Sequence, residues 1–139
     1  MGIDPGTKRI GIAISDLSGS ISKPLTIIGH LSRKIDVEKI ITLVQKYNVT
    51  KIIIGLSRFD DGSPNPSGKN AINIAEEICK ICRIPVQLFD ESFTTLMAKR
   101  TVADLGLSKK KRKGHHDDIA AAILLQTYIE SNDLIERDR

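Results

Sequence analysis

A central mixed β-sheet with helices on both faces, in an α/β chain, is the architecture this sequence encodes. Two apolar runs, Gly2-Ile3 and Ile10 to Ile14, flank Asp4-Pro5-Gly6, where proline fixes φ and glycine accepts φ > 0, the dihedrals a hairpin link wants. Lys51-Ile52-Ile53-Ile54-Gly55 is short, continuously apolar and β-branched, as a strand buried on both faces should be, so helices must cover it on both sides. After that strand, helical and extended patterns alternate, which favours a layered sheet over a bundle or a sandwich.

In chain order the patterns predict strands over residues 1–4, 10–16 and 21–28, the first two joined as an antiparallel hairpin. A helix follows over 34–47, marked by Val37, Ile40, Ile41 and Val44 at helical spacing. The buried strand occupies 51–55. A loop rich in Gly, Pro and Ser leads to a helix over 69–83, where Ile74, Ala75 and Ile78 form the core-facing stripe. A fifth strand over 85–90, a helix over 94–105, a basic loop and a helix over 117–131 complete the chain. In the last helix the small run Ala120 to Ala122 lets the backbone lie close to the sheet. These five strands form one sheet, and residues 1–139 read as a single domain without internal repeats.

At 139 residues the chain can bury roughly 68 to 70% of its unfolded surface without disulfides. No apolar run reaches the ~18 residues of a membrane span, and the N-terminus resembles neither a signal nor a transit segment, so the expectation is a cytoplasmic protein with no membrane partner. Cys79 and Cys82 lie in an amphipathic stretch with no second Cys-x-x-Cys pair to complete a zinc shell, and they read as packing residues.

Three acids stand where chemistry can use them. Asp4 ends the first strand at the mouth of its turn. Asp90-Glu91 follows directly on the strand Pro85 to Phe89, beyond the carboxyl end where open α/β sheets bind ligands. Side chains alternate along a strand, so only one of that pair shares a face with a given neighbour, and spacing does not say which. Asp117 and Asp118 open the last helix; the first aligns with Ala121, Leu124 and Tyr128, the second with Ala122, Leu125 and Ile129, and periodicity does not separate them. An acid from each place makes a cradle for Mg²⁺ or Mn²⁺, which take carboxylate oxygens and, in pairs, support phosphodiester hydrolysis.

Read end to end, the chain resembles the YqgF/RuvX-type nucleases, also called pre-16S rRNA nucleases or Holliday junction resolvases, which have a ribonuclease H-like fold. The resemblance rests on Gly2 to Asp16, on Ile53-Ile54-Gly55-Leu56 followed by Asp61-Gly62-Ser63, on Asp90-Glu91 with Thr94-Thr95, and on Lys110-Lys111-Arg112-Lys113 ahead of Asp117 and its alanines. It implies that Asp4, Glu91 and Asp117 are the catalytic, metal-binding acids, and it selects Asp117 because the family's acid is separated from the alanines by two residues. Asp4 is then expected to bridge two ions, with Glu91 and Asp117 holding one each. The chain departs from the family at Ser92, where arginine is usual, and at Ser57, where proline is usual; it also begins a little way into the family's first strand.

Nucleic acid is the expected partner. Lys109, Lys110, Lys111, Arg112 and Lys113 are consecutive cations just before the catalytic helix and offer a phosphate clamp, with Lys8 and Arg9 as secondary contacts. Aromatic residues make up 4% of the chain and tryptophan is absent, so recognition should be led by backbone and shape rather than by base stacking. His115 and His116 read as a solvated loop pair. The resemblance implies trimming of the 5′ end of precursor 16S rRNA, with four-way DNA junction cleavage as the alternative; a monomer suits the first and a homodimer the twofold junction. Two other classes compete: an actin-like ATPase, since Asp-x-Gly-Thr also opens that phosphate loop, and a non-catalytic nucleic-acid-binding module. The first needs a second lobe that 139 residues do not supply.

Overall fold

The computed structural model describes residues 1–91 and 116–137, with side chains placed for residues 1–91 and 119–132. Its elements are β1 (Gly2–Pro5), β2 (Arg9–Ser15), β3 (Ser22–Gly29), α1 (Arg33–Lys46), β4 (Ile52–Leu56), α2 (Pro66–Ile81), β5 (Val86–Asp90) and α3 (His116–Arg137). The helix expected over 94–105 and the basic loop Lys109 to Lys113 lie outside the described residues. The strands form one five-stranded sheet in the order β3-β2-β1-β4-β5. Strands β1 and β2, and β2 and β3, pair antiparallel, while β4 runs parallel to both β1 and β5. This is the mixed sheet the sequence predicts, with β1, β4 and β5 ending at one edge.

Two helices depart from their expected bounds. Helix α2 starts earlier because Asn65 caps it, its side chain accepting from the Gly68 N–H at 2.9 Å, with Pro66 at the first helical position, where a missing N–H costs nothing. Helix α3 runs on to Arg137, since no glycine or proline interrupts the sequence after Ile129. Pro24 lies in β3, an edge strand beside an irregularity in the β2–β3 register, where a missing donor is tolerated.

Strand alternation divides the interior between two faces. On one, Ile3, Ile10, Ile12, Ile52 and Ile54 meet Val37, Ile40 and Val44 of α1 and Ala71, Ile74 and Ile78 of α2. On the other, Ala13 and Ile53 meet Ala121, Ala122, Leu125, Tyr128 and Ile129 of α3. Each of the five β4 residues is buried, as a strand covered on both sides requires. Ala121 and Ala122 are fully buried, and a Cβ on Gly2 would stand 2.8 Å from Leu125 Cβ, so small residues on both partners let α3 sit close to β1. Cys79 is exposed rather than packed, whereas Cys82 lies partly buried against the α1–α2 core. Among the described residues no helix is long and apolar enough to cross a membrane.

Candidate active site

The first acid is placed by the β1 ladder. Gly2 faces α3, and the period-two rule puts Asp4 on that same face, at the carboxyl end of β1. Asp4 is half-buried and pairs in register with Gly11 of β2. On the other side Ile3 pairs with Ile54, so Asp4 comes level with Gly55 of β4.

The second acid is placed by β5. Phe89 packs edge-on against Tyr128 of α3, with ring centroids 5.7 Å apart at 88°, and so faces the α3 side. Asp90, next along the strand, turns the other way, where its Oδ2 accepts from Arg58 Nε at 2.8 Å. Glu91 returns to the α3 face. Its carboxylate lies over Gly55: a Cβ added there would stand 2.5 Å from Glu91 Oε1 and 3.0 Å from Leu124 Cδ2. A glycine within an otherwise bulky buried strand marks a close approach, and that was the readable signal for this residue. Arg58, which braces Asp90 and also donates to the Gly62 carbonyl at 2.8 Å, gave no comparable signal.

The third acid depends on how α3 crosses the sheet. Leu124 lies over Gly55, near the carboxyl edge of β4, whereas Tyr128, one turn later, accepts a hydrogen bond from Lys51 at the start of that strand and donates to Gln87 Oε1 at 3.3 Å. The helix therefore runs antiparallel to β4 and points its N-terminus toward the edge that bears Asp4 and Glu91. From Leu124 back to Asp117 the backbone rises about 10.5 Å. The side chain of Asp117 lies outside the described residues, as do those of Asp118, His115 and His116. Ser22 holds the helix in rotation: its Oγ donates to the Ala122 carbonyl at 2.5 Å, and its N–H donates to Gln126 Oε1 at 2.8 Å.

The structure thus brings Asp4 and Glu91 to one face and one edge, on either side of the bare backbone of Gly55, and aims the first turn of α3 at them. Two carboxylates form a hard oxygen donor set of the kind that Mg²⁺ and Mn²⁺ take, and the missing Cβ leaves room above β4 for that of Glu91. Among the described residues no three His, Cys, Asp or Glu side chains are gathered into a metal-binding group. Lys8 and Arg9, in and beside the β1–β2 turn, are exposed at the same edge.

Comparison with known proteins gives a consistent picture. A family model described as "RuvX: Holliday junction resolvase" matches residues 1–131. A protein of Caldanaerobacter subterraneus subsp. tengcongensis, provisionally named a pre-16S rRNA nuclease, is 41% identical over 94% of this chain and 95% of its own length. Its counterpart from Thermoanaerobacter pseudethanolicus, with the same provisional name, is 40% identical over the same shares. Among solved structures, Thermus thermophilus RuvC in complex with a Holliday junction substrate superposes with a TM-score of 0.65 at 15% identity, covering 94% of both chains. The fowlpox virus resolvase with its Holliday junction DNA gives 0.52 at 19% identity, covering 94% of this chain and 96% of the other. At such identities the structural likeness speaks for the ribonuclease H-like fold alone. The family match over nearly the whole sequence, and relatives so similar along almost their entire length, lead to one assignment: this chain belongs to the RuvX family.

Proposed function

We propose that the chain is a divalent-metal-dependent nuclease that hydrolyses nucleic-acid phosphodiester bonds at Asp4, Glu91 and Asp117, with precursor 16S rRNA as its substrate. The observation that carries this reading is that Asp4 and Glu91 share one face and one edge of the sheet, Glu91 lying over the bare Gly55, with the first turn of α3 aimed at that edge. Asp4 and Glu91, with Asp117 from the first turn of α3, are the residues that would hold the ions. When bound there, Mg²⁺ or Mn²⁺ supplies Lewis acidity to a phosphoryl oxygen and lowers the pKa of water. The protein's part is to fix the carboxylates on rigid strand ends, and Arg58 holds Asp90 turned away so that Glu91 faces the site. Lys8, Arg9 and the run Lys109 to Lys113 hold the polymer by its phosphates. The names of the two bacterial relatives favour the rRNA precursor. The family description favours a four-way DNA junction as the second reading. We place the protein in the cytoplasm as one domain, monomeric on RNA and dimeric on a junction.

The test is cleavage of end-labelled precursor rRNA and of a synthetic four-way junction by wild type and Asp4→Asn, in Mg²⁺, Mn²⁺ or EDTA. Wild type should cut in either metal and not in EDTA. Asp4→Asn should lose cleavage and keep its affinity for the polymer. Equal cleavage by the two proteins would refute the assignment of Asp4. Binding without cleavage in every metal would leave a non-catalytic module.

A further inference from the structure

Across the β1–β2 turn from Asp4, the surface sinks into a pocket of about 340 Å³ lined by Thr7, His30, Ser32, Arg33 and Asn70. Every lining side chain ends in a hydrogen-bonding group, and none is acidic. Lys8 and Lys34, the chain neighbours of Thr7 and Arg33, are exposed. Main-chain and amide bonds hold the walls: the His30 N–H donates to the Lys8 carbonyl at 2.9 Å, and the Asn70 side chain donates to the Gly6 carbonyl at 3.3 Å.

The imidazole of His30 is oriented from behind. Its Nδ1 lies 2.5 Å from Oδ2 of Asp36, a carboxylate only 2% exposed whose Oδ1 accepts from the Leu31 N–H at 3.2 Å. Both carboxylate oxygens are thereby engaged inside the protein, and the His30 side chain remains 41% exposed. With Nδ1–H donating to Asp36, Nε2 is the end of the ring left for a ligand, and in the imidazolium, where both ring nitrogens carry an N–H, it donates to an oxyanion. A polar pocket with a guanidinium, a hydroxyl and an aimed imidazole suits a tetrahedral oxyanion.

We propose that this pocket is a second phosphate subsite, in which His30 Nε2, the Arg33 guanidinium and the Thr7 hydroxyl hold a backbone phosphate of the substrate that is not the scissile one. The proposal rests on the nuclease reading above. Asp4 faces α3, and the pocket opens on the α1–α2 side of the same edge, so a bound strand passes over the β1–β2 turn beside Lys8. RNA and DNA offer the same phosphodiester, and the experiment separates them.

Fluorescence anisotropy should be measured across a salt series, in EDTA, with a precursor rRNA fragment and with a four-way DNA junction. The proteins are wild type, Arg33→Ala, Arg33→Lys, His30→Gln and, as a control beyond the other end of α2's core, Lys80→Ala. Because His30→Ala would leave the buried Asp36 short of a donor, His30→Gln and the exposed Arg33 carry the test. Arg33→Ala and His30→Gln should bind several-fold more weakly, with a log-log salt slope shallower by about 0.7 to 0.9 for the lost phosphate contact. Arg33→Lys should recover part of the loss, Lys80→Ala should match wild type, and in Mg²⁺ the cleavage rate at saturating substrate should hold. The polymer on which the loss is seen names the substrate strand. Unchanged affinity and slope in both variants, with wild type binding normally, would overturn the subsite alone. A wild type that neither binds nor cuts either polymer would overturn the nuclease reading and the subsite with it.

Discussion

Gly55 sets where the Glu91 carboxylate can lie. A methyl group there must displace the Glu91 carboxylate, 2.5 Å from the added carbon, and press on Leu124. Gly55→Ala should cost about 1–3 kcal/mol in urea unfolding, and cleavage should fall about a hundredfold from misplacement of the acid. Gly29→Ala, whose Cβ meets open space, should leave both unchanged. Asp16 gives a pH signature. The Ser20 N–H, followed by that of Ile21, holds its carboxyl below the usual aspartate range. A depressed folded pKa means that this contribution is fully present above the unfolded value and is lost as pH falls through the lower folded one. The gap in thermal midpoint between wild type and Asp16→Ala should therefore hold near neutrality and close below about pH 4. The choice between Asp90 and Glu91 shows where reading residues one at a time stops. Alternation says that only one faces α3, but the phase is set by Phe89 against Tyr128, a partner far along the chain.

Helix α3 is the element on which the third acid depends. Its rotation is set by Ser22 and Gln126 and by Tyr128 wedged between Lys51, Gln87 and Phe89. Ser22 is fully buried, so Ser22→Ala removes the hydroxyl from which the Ala122 carbonyl accepts in addition to its intrahelical donor and should cost about 0.5–1.5 kcal/mol by urea denaturation. Cleavage should fall by more than Lys80→Ala causes, since the same shift carries the first turn of α3. Most elements were legible because their apolar spacing is strong: Val37, Ile40 and Val44 in α1, and the unbroken isoleucines of β4, are buried as their periods require. The start of α2 was not, because Asn65-Pro66 is a signal of capping chemistry rather than of apolar spacing. Cys79 was misread for a related reason: it stands beside Ile78, one residue off the buried stripe, and a helix turns about 100° per residue.

Over the whole molecule, the two apolar clusters lie on opposite faces of one sheet, and the candidate site needs both. Isoleucines of one parity bind α1 and α2, while the other parity is left for α3. The layered α/β plan followed from the sequence because parity and period are local. The placing of Asp4 and Glu91 on one face and one edge did not, since it depends on β4 lying between β1 and β5. The face that bears Asp4 and Glu91 also has a consequence for synthesis. Among the described residues, the partners of Ala13 and Ile53 are Phe89 of β5 and residues 121–129 of α3, so in a chain emerging from the ribosome at about 5–20 residues per second the α3 contacts of that face form only when the C-terminal part is free. The α3 cover of that face and Asp117, the proposed third acid, are carried by the same late segment, so the proposed site is completed only as that face of the sheet is covered.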